Sequence, residues 1–177
     1  MSRKDKNYKS YADVSDMEIL DQEICPHEPL EYSDILKFSN AQNMLAKNLK
    51  VCGGKEDVID INRKCKNILI INCLLSGNGK YIFTIKDSTN ITIKDCVIDR
   101  AGKDFDIEIG NYSTTGSTKV INVVLDNVTR TDGKPIKVNV LNGNKPVLVN
   151  GTKAKITVVW PIFWKIYFFL RGKNIIK

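Results

Sequence analysis

The chain has a single histidine, His27, and none of its five cysteines (Cys25, Cys52, Cys65, Cys73, Cys96) are spaced CxxC. No metal-knuckle or dithiol-redox spacing is therefore present. Apolar runs long enough to span a bilayer are also missing. The longest, Ile156–Leu170, has 15 residues, is broken by Pro161 and Lys165, and is followed by Arg171 and Lys173; a spanning helix needs about 20. The start, MSRKDKNYKSYAD, has no apolar core of a secretory leader, so the cysteines are expected as reduced thiols of a cytosolically made protein. SGNGKY at Ser76 to Tyr81 is too short for a GxxxxGK[ST] phosphate loop and is read as a turn. Lys and Arg are absent from residues 10–36, which instead hold eight acidic side chains, whereas residues 37–177 carry 23 Lys+Arg against 11 Asp+Glu. An acidic leader on a basic body points to docking within the chain or against a neighbouring subunit, and the basic body can attract an anionic polymer.

What is present is repetition. GKEDVIDI from Gly54, GKYIFTI from Gly79, GKDFDIEI from Gly102 and GKPIKV from Gly133 share one phrase, with a looser copy, GTKAKITV, at Gly151. A second phrase alternates with it: NILIINC from Asn67, NITIKDC from Asn90 and NVVLDNV from Asn122. Successive copies lie 23 to 25 residues apart, until the interval lengthens to 31 or 32 at GNYSTTGSTK, Gly110 to Lys119. A period in the twenties with apolar residues at every second position predicts stacked β coils.

The alignment assigns Ile61, Ile85, Ile109 and Val138 to one inward column, and Ile59, Phe83, Ile107 and Ile136 to another. Asp60, Thr84, Glu108 and Lys137 then face outward. In the second phrase Ile68, Ile91 and Val123, then Ile70, Ile93 and Leu125, point inward. Asn67, Asn90 and Asn122 fall at turns that asparagine tolerates, and stacking predicts a hydrogen-bonded ladder. Cys73 and Cys96 share one repeat position and are read as small apolar fillers.

These coil lengths, asparagine positions and Ile/Cys columns resemble the right-handed parallel β-helices of the pectate-lyase-like superfamily, over roughly residues 50–155. The resemblance implies an all-β, single-stranded helix of about four coils at 54–155. Residues 1–36 are expected as a polar, acidic arm, 37–53 as an N-terminal cap, and 156–177 as an apolar C-terminal cap or interface. The superfamily spans polysaccharide lyases, glycoside hydrolases, and viral spike and tail proteins.

The best catalytic constellation is Asp60, Asp106 and Glu108, with Asp106 taken to share the face of Glu108. Asp60 and Glu108 lie two coils apart, roughly 9 to 10 Å at about 4.8 Å per coil, within reach of the spacing of inverting glycosidases. Alternatively Glu56, Asp57 and Asp60 bind a hard cation such as Ca²⁺, as lyases of this fold do, with Arg63, Arg100 or Lys103 as base. Any solenoid strand also sets polar residues outward, so the same residues fit a merely solvated face. His27 is read as a surface residue. Tyr112, Ser113, Thr114 and Thr115, in the insertion, suit stacking and hydrogen bonding to a glycan. Trp160, Phe163, Trp164, Tyr167 and Phe168 form too much aromatic surface for a small monomer to leave bare, which predicts a homo-oligomer or a place in a larger assembly.

The expectation is a non-catalytic virion structural or attachment protein, such as a phage capsid or tail component, assembled in the host cytoplasm and able to bind a glycan. Its partners would be further copies of itself and other virion proteins, not nucleic acid, with no cofactor required. The rivals are a small lyase or hydrolase of acidic polysaccharide, and a protein anchored in a membrane through 156–170.

Overall fold

The computed structural model describes residues 9–26, 34–77, 79–100, 105–110, 120–141 and 147–153. They contain no helix and build a parallel β-solenoid of about five turns with three sheets. The first sheet stacks β1 (Lys9–Ala12), β4 (Leu36–Ser39), β7 (Asp57–Asn62), β10 (Tyr81–Ile85), β13 (Ile107–Ile109) and β16 (Val138–Val140). The second stacks β2 (Ser15–Leu20), β5 (Gln42–Lys47), β8 (Lys66–Ile71), β11 (Thr89–Lys94), β14 (Ile121–Asp126), β17 (Val147–Val149) and β18 (Thr152–Lys153). The third comprises β3 (Glu23–Ile24), β6 (Lys50–Gly53), β9 (Leu74–Gly77), β12 (Val97–Arg100) and β15 (Thr129–Arg130). Each of the first five coils contributes one strand to each sheet, so up to β17 the chain returns to the same sheet every third strand.

The inward columns are those the repeats predict over their first three copies. Ile59, Phe83 and Ile107 stand in register, as do Ile61, Ile85 and Ile109, and all six are fully buried. Ile68–Ile91–Val123 and Ile70–Ile93–Leu125 do the same in the second sheet. β-Branched side chains repeating in register give flat layers that pack without voids. Cys73 and Cys96 are buried thiols at equivalent positions in neighbouring coils.

The fourth copy slips by two residues from the expected alignment. Val138 pairs with Ile107 and Val140 with Ile109, so Asn139, not Lys137, follows Glu108. Ile136 precedes the strand and packs against the core from its edge. Pro135 has no amide hydrogen to give to a ladder, and pairing starts only where the Lys137 carbonyl accepts from the Asp106 and Ile107 amides (2.9 and 3.1 Å).

Residues 9–53 also differ from expectation. They supply β1 to β6, two further coils of the same solenoid, where an arm and a cap were anticipated. Met44 and Ala46 sit above Ile68 and Ile70, and Ile19 above Ala46. Tyr11 stacks on Phe38 with ring centroids 5.8 Å apart.

Asparagine and aspartate turn the corners, every one with positive φ. One ladder runs Asn122→Asn90→Asn67→Asn43→Asp16, each amide donating to the side-chain oxygen of the coil before it at 2.8 to 3.0 Å. A second, unanticipated ladder leads into the third sheet, with Asn72→Asn48→Asp21 and Asn127→Asp95 at 2.7 to 2.8 Å. Asn40 donates to Asp13 at a third corner. In every case the N-terminal rung is an aspartate, so part of the acidic leader is the acceptor end of the ladders.

Of the looser fifth copy of the phrase, residues 151–153 are described, and they turn back on the preceding strand. Asn150 and Gly151 both take positive φ (46° and 75°), the pair that a type I′ hairpin requires. β18 therefore runs antiparallel to β17, with Leu148 opposite Lys153. At the SGNGKY turn, a Cβ on Gly79 would fall 2.1 Å from the Glu56 carbonyl oxygen, which explains glycine there.

Candidate functional site

The polar column of the first sheet runs Ser10, Lys37, Asp60, Thr84, Glu108 and Asn139 in register across the coils. It contains the candidate carboxylates Asp60 and Glu108, separated by Thr84 as the repeat predicts. Its environment is not the solvated face expected of it. Asp60 and Glu108 are only 3% and 4% exposed, and Thr84 and Asn139 are buried with them.

From Lys37 onward, each group in this column is committed to a neighbour. Asp60 Oδ2 lies 2.8 Å from Lys37 Nζ and accepts from the Asn62 amide. Lys37 also pairs with Asp34 at 3.0 Å. Burial pulls the Lys37 ammonium down, but the hydrogen bonds and charges of Asp60 and Asp34 prevail and raise its pKa. Burial raises the Asp60 carboxyl, against the opposing pull of Lys37. Asp57 accepts a 2.5 Å hydrogen bond from the Thr84 hydroxyl. Burial nevertheless pushes its pKa up to about 6. Glu108 accepts from the Asn139 amide at 3.4 Å.

Asp106 does not share the face of Glu108. The first-sheet strands begin with two consecutive inward residues, Val58 with Ile59 and Ile82 with Phe83, all in the core. Asp106 and Ile107 occupy the same two places in the next coil, because Phe83 pairs with Ile107. Asp106 is therefore an inward aspartate, 0% exposed. Arg130 answers it from the third sheet, in the column that reads Val51, Leu75 and Ile98 in the preceding coils. The guanidinium approaches Asp106 to 3.3 Å, the Lys137 amide donates to Asp106 at 2.8 Å, and Asp132 holds Arg130 from outside at 2.6 and 2.9 Å. An ion pair thus replaces two apolar positions in the last full coil.

The proposed cation set does not converge. Glu56 is exposed, Asp57 is tied to Thr84 and Asp60 to Lys37. Among the described residues, the side chains close enough to share an ion are Glu23, Cys25 and Cys52 instead. Arg63 is exposed at a corner with φ 53°, and Arg100 ends β12. His27, Lys103, Tyr112, Ser113, Thr114 and Thr115 lie outside the described residues, as do Trp160, Phe163, Trp164, Tyr167 and Phe168. Among the described residues no helix is long and apolar enough to cross a membrane.

The expectation of five reduced thiols is corrected at one pair. Cys25 and Cys52 are joined by a disulfide, with Cα atoms 4.7 Å apart across neighbouring coils. Their separation of 27 residues equals the period of the first two coils, which the sequence reading had placed outside the solenoid. Cys65, Cys73 and Cys96 are free and buried, Cys73 and Cys96 inside the coil as anticipated. Lys37, Thr84, Arg130 and Asp132 were missed as partners, since register alone reveals them.

No protein-family model, curated protein or solved structure matches the chain.

Proposed function

We propose that this chain is a non-catalytic structural or attachment protein of a virion, built on a short right-handed β-helix of the pectate-lyase-like kind. The observation that carries this reading is the fate of Asp60 and Glu108. Both carboxylates lie in one column, yet they are buried and engaged by Lys37, Asn62 and Asn139 rather than presented to a polymer. A general acid or base must come within hydrogen-bond reach of its substrate. A rigid post has the opposite need, with polar groups locked together coil to coil. The asparagine ladders and the inward Asp106–Arg130 pair serve the same end.

In this reading the aromatic segment 156–170 is the attachment to further copies or to other virion proteins, and the insertion at 110–119 is the glycan-facing element. Light scattering on the full chain and on a chain ending at Lys155 tests it. The expected result is a discrete oligomer that becomes monomeric on truncation. Monomers in both cases, or turnover of an acidic polysaccharide by the full chain, would overturn it.

A further inference from the structure

The third sheet starts with a cluster that the solenoid does not need for stacking. Glu23 pairs with Lys50 and Ile24 with Val51, so the next residue, Cys25, is delivered beside Cys52. Ligand atoms of Glu23, Cys25 and Cys52 lie within 4.8 Å of one another. Glu23 is exposed and the two cysteines are half-buried, so the cluster is open to solutes. The disulfide and the Glu23–Lys50 ion pair together hold a carboxylate and two sulfurs at one open edge.

We propose that in the dithiol state Glu23, Cys25 and Cys52 form a Zn²⁺ site that clamps the first coil to the second. Two thiolates with one carboxylate suit this borderline-soft ion better than Ca²⁺ or Mg²⁺, which take oxygen donors. Zn–S bonds of about 2.3 Å in a tetrahedral site put the two sulfurs about 3.8 Å apart. Backbones held 4.7 Å apart reach that spacing by side-chain rotation alone. Lys50 Nζ, 2.9 Å from the Glu23 carboxylate, places a positive charge at the same edge, which favours thiolates. Three protein ligands leave the fourth tetrahedral position to water or to a partner's donor.

The one reactant needed besides Zn²⁺ is a dithiol reductant. A dithiol reductant gives two electrons and two protons to the Cys25–Cys52 bond and closes its own disulfide. Zn²⁺ then displaces the two thiol protons. The first coil is thus tied to the second by a covalent bond under oxidising conditions and by a metal under reducing ones. Cys65, Cys73 and Cys96 are buried and serve as an internal control.

The test uses the full chain, reduced with a phosphine under anaerobic conditions, titrated with Zn²⁺ against a chromophoric chelator. One Zn²⁺ per chain is expected. Cys25→Ser and Cys52→Ser should each abolish it, Glu23→Gln should weaken it by more than about 10-fold, and the oxidised chain should not bind. Co²⁺ on the reduced chain should give a thiolate-to-metal charge-transfer band, reporting sulfur ligation independently of any change in stability. A missing thiolate band, or binding that survives in the Cys25→Ser, Cys52→Ser double variant, would overturn the proposal.

Discussion

The Asn43 side-chain amide donates to the Asp16 carboxylate at 2.8 Å, and there the ladder ends. Each asparagine amide passes its hydrogen bond toward the N-terminus, so the first rung needs only an acceptor. Aspartate fills that place at all three corners, through Asp13, Asp16 and Asp21. The ladder has a direction, and the acidic leader marks its start. The bond from Asn43, with one from Ser15, holds the Asp16 carboxyl below its usual range.

A central rung should be the costly one to lose. Asn67 both donates to Asn43 and accepts from Asn90, with φ at 56°. Asn67→Ala removes both bonds and replaces asparagine, which tolerates left-handed backbone, by alanine, which does not, together worth about 1–3 kcal/mol. Asn67→Gly loses the bonds but not the geometry, and should cost less. Urea denaturation of the two variants measures the difference.

The inward ion pair makes a double-mutant prediction. Arg130→Ile leaves Asp106 buried with only the Lys137 amide, and should destabilise by about 3–5 kcal/mol. Asp106→Ile combined with Arg130→Ile continues the apolar columns of Ile82 and Ile98 into the last coil. That double variant should match or exceed the wild-type melting temperature.

Asp57 gives the solenoid a pH dependence of defined sign. Its folded pKa, about 6, lies above the ordinary 3.8, so the folded state holds this proton more tightly. Its contribution is fully present below about pH 3.8 and is lost as pH rises through about 6, by up to about 3 kcal/mol. Asp57→Asn should abolish that component. Wild-type stability minus variant stability, followed by urea denaturation from pH 4 to 7, should fall across this window and level off above it.

The first-sheet and second-sheet columns were legible from residues 54–126, because Ile and Val recur at every second position and asparagine precedes them at a constant interval. The first two coils were not, because they lack the glycine–lysine phrase and the first uses aspartate at corners where the second uses asparagine. The slip at Val138 was hidden because Pro135 delays pairing while leaving GKPIKV similar in spelling. Strict alternation also misplaced Asp106. A strand entered through two successive inward residues, such as Ile82 and Phe83, reverses the face of everything before it. The burial of Asp60 and Glu108 was beyond reach, since it depends on Lys37, Asn62 and Asn139, which are brought there by register.

The central claim is that the Asp60–Glu108 column is structural. Asp60→Asn and Glu108→Gln should be purified and compared with wild type for melting temperature and for cleavage of acidic polysaccharide. The account predicts no cleavage by any of the three, and a lower melting temperature for Asp60→Asn, whose charge pairs with Lys37. Cleavage by wild type that disappears in both variants at unchanged melting temperature would contradict it.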